Sequence, residues 1–496
     1  MGKISALESP TVENKDELRP LERGNATART GDTEMSAPPV DEAWLAATLA
    51  VLADTHQVPG AQLAIHRDGV TVSVEVGELE HGTGIPVTRE TAFPTGSISK
   101  AWTATLAMIL VADGDLELDA TLNEHLPELD DLGGQLTLGQ LLSHTSGFAS
   151  SPDAPELATL SMGRYVREHC RRQDLIFPPG TGFSYSSRNY VLVGHLIETI
   201  TGMSWWEATE SILLRPLGID AATVVATLRA PSGRPIASGH SVNTTLGRTR
   251  PVQQSLAPAE APAGALAMSA DDLVALGLMH IGPGVPQLLP ATYAERMRRA
   301  VPGANPFGLA DGWGAGLAVF RDGITAWVGH DGNANGTSCY LRIDPAGGWV
   351  VALTTNANTG SSLWEELRTE LRQANLPLGA GRRDMSMRAL VAAPTECAGS
   401  YSNGPTEYLV AAGDEGVPYL ASGDELIGRL AFYDDLDFVL QDPTSGQGLH
   451  VGRFMRDPIT KQIDQLLLGG RIAQRCRPPG VPEPRPSTDS LNRASA

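Results

Sequence analysis

The sequence predicts an α/β (α+β) fold: one antiparallel sheet flanked by helices, an all-α lobe, and a small all-β barrel after them. First, strand-like segments at 60–78 and 317–356 enclose a helix-rich middle. Second, short strand-like runs separated by Gly, Asp and Pro fill 393–479, which is typical of a barrel. Strands from both ends of the first region therefore pair most simply in one sheet, with a cleft between this sheet and the helical lobe.

Charge and hydropathy exclude several classes of function. The 496 residues include 37 Lys and Arg against 57 Asp and Glu, a net charge of −20, which argues against nucleic-acid or anionic-membrane binding. No apolar run approaches the roughly 18 residues of a membrane span, and the first twenty residues lack the apolar stretch of a secretory signal. The four cysteines form no CxxC pair, so we expect no metal site, no cofactor, reduced thiols and a cytoplasmic location.

Composition divides the chain into five predicted parts. These are a disordered leader at 1–38, a catalytic domain at 39–378, a linker at 379–392, a β domain at 393–480 and a disordered tail at 481–496. Within the catalytic domain, 41–56 has helical apolar spacing behind an acidic first turn, and 361–374 is an amphipathic helix pattern. Between them, 60–78 contains two strands around an Asp-Gly turn.

Lysine is scarce, and Lys100 is the only lysine between residues 16 and 460. It follows Ser97 by three residues at the start of a predicted helix, so both side chains share one helix face. A buried ammonium loses its proton more easily than a free one, and the neutral amine can then accept the serine proton. A chance S-x-x-K is the structural alternative, because serines are common in this chain.

Two further motifs follow downstream. Tyr185 precedes a predicted helix, from which its hydroxyl can enter a cleft as an acid or base. His330 is followed by Gly332 at the end of a predicted strand, where a glycine on an edge strand would let a substrate backbone approach closely. Taken singly, such a tyrosine usually caps a core and such a histidine is usually structural. Their order after Ser-x-x-Lys favours one shared site.

In this order the three motifs resemble those of the serine penicillin-recognising enzymes. That family includes penicillin-binding proteins, class C β-lactamases, and related esterases and D-peptidases, and the His-x-Gly form resembles the class C and esterase branch. Other matching stretches are Val58-Pro59-Gly60, LLSHTSGF at 141–148 and Ala263-Gly264-Ala265-Leu266. The resemblance covers about 40–375 and implies a β-lactamase/transpeptidase-like fold, with the site between an α/β lobe and an α lobe.

The resemblance also implies roles for individual residues. Ser97 would be the acylated nucleophile and Lys100 its base. Tyr185 would pass protons to the leaving group and to the incoming nucleophile. His330 and Gly332 would lie on the strand that edges the cleft.

Two further positions complete the implied site. The backbone N–H groups of Ser97 and Asn333 would form an oxyanion hole. The middle motif departs from the usual Tyr-x-Asn, because Tyr185 is followed by Ser187 at the third position. Ser187 stands where an amide would contact the substrate and the lysine. Its shorter reach argues against efficient β-lactamase activity but leaves the Ser/Lys/Tyr chemistry intact.

The β domain resembles the lipocalin-like domain of some relatives, among them stand-alone thioesterases of penicillin-binding-protein type. Those enzymes release a linear nonribosomal peptide from its carrier and close it head to tail. The resemblance implies a cytoplasmic peptide cyclase of antibiotic biosynthesis, with a peptidyl substrate and a peptidyl carrier protein as partner. In that hypothesis the barrel excludes water from the cleft, and Arg471 or Arg475 binds a substrate carboxylate.

Other interpretations stay open from the residues alone. If water is the acceptor, the protein is a serine hydrolase, such as an esterase, a D-stereospecific peptidase or a β-lactamase-like enzyme. A binding or regulatory protein is a third class, although an intact Ser97, Lys100 and Tyr185 set argues against it. The β domain would equally suit dimerisation or stability, and both arginines would equally suit surface salt bridges.

Overall fold

The computed structural model describes residues 40–476, apart from 152–154, 226, 229–232, 324, 380–384, 386–387, 414–415, 444–445 and 447. The leader predicted at 1–38 and the tail predicted at 481–496 lie outside these residues, and the predicted linker lies partly outside them. The exact domain boundaries therefore stay predictions.

The helices of this part are, in chain order, α1 Glu42–Thr55, α2 Ile98–Asp113, α3 Leu138–Leu142, α4 Met162–His169, α5 Ser187–Thr201, α6 Trp205–Ala208, α7 Ala261–Gly264, α8 Ala270–Leu278, α9 Ala291–Arg298 and α10 Gly360–Gln373. None of these described helices has both the length and the apolar character that a membrane crossing requires.

The strands are β1 Gly60–Arg67, β2 Val70–Gly77, β3 Phe93–Pro94, β4 Ala222–Thr223, β5 Gly239–Asn243, β6 Arg248–Val252, β7 Leu266–Met268, β8 Gly312–Trp313, β9 Ala318–Asp322, β10 Thr325–Ala334, β11 Thr337–Asp344, β12 Trp349–Thr355, β13 Gly399–Asn403, β14 Thr406–Ala412, β15 Pro418–Ser422, β16 Glu425–Phe432, β17 Asp437–Gln441, β18 Gly448–Arg456, β19 Ile463–Leu468 and β20 Arg471–Arg475.

The central sheet joins the two ends of the catalytic region. Its order is β2-β1-β12-β11-β10-β9-β8, and all neighbours are antiparallel. The pairing of β1 with β12, with Ala61 opposite Thr355, confirms the predicted sheet built from both ends. One face carries α1 and α10, whose Leu45, Leu49 and Leu363 share a core. On the other face, α8 packs so closely on β12 that Gly277 has no room for a Cβ.

Helix α2 runs through the interior of the helical lobe. Every residue from Ile98 to Val111 is buried, and apart from Lys100 these residues are apolar or small on all faces of the helix. Gly114 ends the helix with a left-handed φ of 85°. The first turn of α2 is therefore fixed in a dry environment, which is the condition that the predicted Ser97/Lys100 chemistry needs.

The C-terminal strands β13 to β20 form a closed eight-stranded barrel, which confirms the predicted all-β domain. Closure comes from β13 pairing with β20, where Tyr401 lies opposite Arg475. Side chains fill the interior, including Tyr401, Phe432, Phe438 and Phe454. The interior is thus a packed core rather than a ligand cavity.

The barrel packs directly on the catalytic lobe. Phe307 of the lobe shares an apolar cluster with Val451, Leu467 and Ile472 of the barrel. Gly308 approaches so closely that a Cβ would lie 2.3 Å from the carbonyl oxygen of Val451. This contact places one side of the barrel against the cleft.

All four cysteines are free thiols, and only Cys476 is exposed. Burial raises the pKa of Cys339 and of Cys397 to about 12, and it raises the pKa of Cys170 as well. We predict that Ellman's reagent titrates one thiol rapidly in the native protein and all four after unfolding. A Cys476→Ser variant should lose the rapid phase. Two rapid phases in the native protein would contradict the burial of the other three cysteines.

Candidate active site

Ser97 lies immediately before α2, where two glycines bring this serine against strand β10. Gly96 has a φ of +50°, and a Cβ on it would lie 2.2 Å from the carbonyl oxygen of Asn333. A Cβ on Gly332 would lie 2.0 Å from the carbonyl oxygen of Thr95. The glycines therefore let the Ser97 and Asn333 backbones approach each other, as an oxyanion hole between their N–H groups requires.

Gly332 thus has a different partner from the one we expected. The predicted role was close approach of a substrate backbone, but its Cα faces the turn that leads into α2. The expectation of an edge strand holds locally, since β9 pairs with β10 only up to Gly329 and β11 pairs with it beyond that point. The segment 330–334 consequently keeps one edge towards the cleft.

Lys100 forms the central contact of the site. Its Nζ lies 3.0 Å from Ser97 Oγ and donates to the carbonyl oxygen of Ala263 at 2.8 Å. Burial, with a smaller contribution from Arg471, lowers the pKa of Lys100 to about 7, while Glu260 opposes the shift. Much of the amine is therefore neutral near neutral pH. Because the Ala263 carbonyl fixes one N–H, the lone pair can face the Ser97 hydroxyl and accept its proton.

Tyr185 lies beside the same serine. Burial raises the pKa of Tyr185 to about 12, although a hydrogen bond with Ser97 opposes the shift, so the phenol stays protonated at neutral pH. Its ring packs against His144 at 4.3 Å between centroids and against Trp313 at 5.6 Å. The Arg471 guanidinium carbon lies 5.0 Å from the ring centre. A neutral phenol held in this way can relay a proton to or from a group bound at Ser97.

His330 faces the cavity in its neutral form. Burial lowers the pKa of His330 to about 4, with a further contribution from Lys100. Nδ1 lies 2.6 Å from the Asp331 carbonyl oxygen, so Nδ1 carries the proton. Nε2 is buried and has no hydrogen-bond partner within the described part of the chain. The ring therefore offers a hydrogen-bond acceptor to a ligand.

These groups line a cavity of about 450 Å³ between the catalytic lobe and the barrel. The catalytic lobe supplies Ser97, Tyr185, Gly308, Leu309, Trp313, Ala318, Phe320, His330, Asp331 and Asn333. The barrel supplies Tyr408, Ile427, Leu440, His450, Leu468, Gly469 and Arg471. The barrel thus forms a mostly apolar wall of the cavity that Ser97 borders.

Ser97 also borders a second cavity of about 200 Å³, and Ser187 lies there. Lys100, Glu260 and Asn333 line the same space. Ser187 begins α5 and is absent from the wall of the larger cavity. Ser187 therefore shares only this second cavity with Ser97.

Arg475 does not reach either cavity. Its guanidinium donates to the carbonyl oxygens of Glu396, at 2.8 Å, and of Ile463, at 3.2 Å, and also to that of Ala398. These acceptors lie at the end of the barrel where β13 begins. Of the two arginines predicted to bind substrate, Arg471 alone lines the cavity, and the position of Arg475 argues for a role in barrel structure.

His144 is a residue of the site whose role the sequence did not reveal. Its Nδ1 accepts from the Ser186 N–H at 3.2 Å and from Asn189 Nδ2 at 3.0 Å, and burial keeps its pKa well below the usual range. The neutral ring supports Tyr185 from behind. LLSHTSGF marked this residue only by resemblance, whereas nothing in the pattern around Trp313 indicated an aromatic wall.

Sequence and structure comparisons relate this chain to known proteins. A family model described as Beta-lactamase matches residues 45–376. Penicillin-binding protein 4 of Amycolatopsis lactamdurans is 34% identical over 351 residues, which cover 67% of this chain and 90% of that protein. Esterase EstB of Burkholderia gladioli is 28% identical over 367 residues, covering 64% of this chain and 92% of that protein.

Among solved structures, the crystal structure of SurE is 38% identical, with a TM-score of 0.77. The alignment covers 88% of this chain and 99% of the SurE chain, so the similarity extends beyond the part that the family model matches. A second structure, SurE with D-Leu, has a TM-score of 0.75 over the same share of both chains.

We predict that acylation of Ser97 by a p-nitrophenyl ester rises with pH through about 7 and then levels off. The reason is that Lys100 must be neutral to accept the proton, and its pKa is about 7. Lys100→Arg keeps a permanent cation and should lose about 10²–10⁴-fold in rate. Stopped-flow release of p-nitrophenol measures both effects. Activity near wild type in the Arg variant would refute the role of Lys100 as base.

We predict that Gly332→Ala damages the site although it adds one methyl group. The new Cβ would meet the Thr95 carbonyl, so the strand and the start of α2 must separate, at a cost of about 1–3 kcal/mol in the free energy of unfolding. Gly134→Ala is the matched control, because its nearest neighbour would lie 3.8 Å away. The rate of ester turnover and the melting temperature should fall only in the Gly332 variant. Equal behaviour of the two variants would contradict this packing.

Proposed function

The chain belongs to the beta-lactamase family of serine hydrolases and acyltransferases, and we propose that it is a thioesterase that macrocyclises a linear nonribosomal peptide. In this proposal Ser97 accepts the peptidyl group from a peptidyl carrier protein in the cytoplasm. The N-terminal amine of the same peptide then displaces Ser97. The observation that carries the proposal is the barrel wall opposite the nucleophile.

The barrel wall bears on the competition between two acceptors. Water and the peptide amine both attack an acyl-enzyme, so a cyclase has to exclude water around the ester. Of the seven barrel residues that line the larger cavity, Ile427, Leu440 and Leu468 are aliphatic and Tyr408 is aromatic. Such a wall favours a folded peptide chain over bulk solvent at Ser97.

The proposed reaction balances over two steps. In the first, Ser97 Oγ attacks the thioester carbonyl and its proton passes to Lys100, while the N–H groups of Ser97 and Asn333 stabilise the oxyanion. The carbon–sulfur bond breaks and the thiol leaves with a proton relayed by Tyr185. In the second step, the amine nitrogen attacks the ester and gives its proton to Tyr185 or Lys100. Ser97 Oγ leaves as the hydroxyl, and an amide bond has formed.

Arg471 supplies a fixed cation near this chemistry. It lies over the Tyr185 ring and lines the same cavity as Ser97. In the proposed complex its guanidinium binds a carboxylate of the substrate, the partner for which its fork geometry is best suited. The nearby positive charge also favours the neutral form of Lys100.

The comparison with SurE bears on the stereochemistry of the substrate. That protein is 38% identical and has a structure with D-Leu. On this similarity we propose that the residue whose carbonyl is bound to Ser97 is D-configured. A serine hydrolase is the second candidate, and the similarity to Esterase EstB favours it.

We predict that a linear peptide thioester mimic ending in a D-residue is converted to a product lighter than the free acid by one water. Mass spectrometry of the products distinguishes the cyclic peptide from the acid. Ser97→Ala should abolish release. Arg471→Gln should raise KM, whereas Arg456→Gln, which removes an exposed ion pair with Glu396 elsewhere on the barrel, should not. Formation of the free acid alone would sink the cyclase proposal and support the hydrolase.

A further inference from the structure

The segment that carries Tyr185 is hydrogen-bonded to backbone groups of the barrel. The Tyr185 N–H donates to the carbonyl oxygen of Gly470 at 2.9 Å. The Ile472 N–H donates to Ser184 Oγ at 3.3 Å. These two bonds flank Arg471 on the β19–β20 hairpin, so one hairpin holds the tyrosine and presents the arginine.

Asn403, at the end of β13, ties three segments together. It is 1% exposed, and its Nδ2 donates to the Ile472 carbonyl oxygen at 2.6 Å and to Ser184 Oγ at 3.5 Å. Its Oδ1 accepts from the Ser150 N–H at 2.6 Å. A side-chain amide suits this position because it combines donors and an acceptor. Replacing a buried polar group with this set of partners lowers stability, because the partners are left without a hydrogen bond.

We propose that Asn403 and Ser184 form a latch that positions Tyr185 and Arg471 over Ser97, so that docking of the barrel sets the acid–base geometry of the site. The inference rests on the proposed function in one respect only, which is that Ser97 accepts an acyl group. Both latch residues are positioning residues, since they line neither of the two cavities that Ser97 borders.

The latch has an electrostatic consequence. Burial is the main cause of the lowered pKa of Lys100, and Arg471 is the next. The other titratable or charged groups near Lys100 are Glu260, Tyr185, Tyr190, His144 and His330. If the hairpin moves away, the helical lobe keeps its own groups but Lys100 loses the cation. Its pKa then rises, and the acid limb of the rate profile moves to higher pH.

The test measures acylation of Ser97 by a p-nitrophenyl ester in Asn403→Leu and in Ser184→Ala. We expect kcat to fall about tenfold or more, as for small misplacements of catalytic groups, and the acid limb to move to higher pH. Phe454→Leu is the control, because it loosens the barrel core without touching the latch. It should lower the melting temperature and leave the acid limb in place.

A second readout needs no turnover. The pH dependence with which acetic anhydride labels Lys100, followed by peptide mass mapping, reports the fraction of neutral amine. Latch variants should require a higher pH for labelling than the wild type and the Phe454 variant. If the wild type is not acylated by the ester, the proposed function fails, and this labelling still decides the latch.

The result that overturns the latch is a folded Asn403→Leu protein with the wild-type kcat, acid limb and labelling profile. If that variant does not fold, Ser184→Ala decides by the same criteria, because it removes only one hydroxyl and leaves the Asn403 bonds to Ile472 and Ser150 in place. An acylated wild type with unchanged variants would refute the latch and leave the proposed acyl-transfer chemistry untouched.

Discussion

The structure depends on one constraint: a lysine must lie next to a serine in a place dry enough to destabilise its ammonium form. Helix α2 meets it because every residue from Ile98 to Val111 is buried, with Lys100 one turn from Ser97. The Ala263 carbonyl satisfies one N–H, so the amine is not left without a partner. Two other residues act on Lys100. Arg471 adds a positive charge that lowers its pKa, and the ring of Tyr185 lies beside its amine.

Much of the fold and the contact between Ser97 and Lys100 could be predicted, because their signals are local. Alternating apolar residues predicted the strands, and the separated groups of strands predicted a sheet built from both chain ends, as the pairing of β1 with β12 confirms. A single lysine after a serine drew attention to Lys100 because arginine is otherwise the common cation. In each case a short stretch of sequence contains the information.

The remaining features depend on contacts between distant segments. Arg471 and Arg475 share one side of β20, so alternation along the strand does not separate them. They differ because they lie at opposite ends of the strand, one at the cavity and one at the end where β13 begins. The glycine at 332 was noticed, but its partner Thr95 is far away in sequence. Ser184 meets Ile472 across 288 residues, partly through the backbone, which leaves no pattern in the sequence.

The backbone contact between Tyr185 and Gly470 has a consequence for how such a protein diversifies. A bond between main-chain groups does not depend on which side chains surround it. Residues of the barrel wall, such as Tyr408, Ile427 and Leu468, can therefore be substituted during evolution while Tyr185 keeps its position. Apart from Arg471, the residues of this wall differ from the groups that carry the acid–base chemistry, so substitutions in the wall can change substrate choice while the chemistry stays the same.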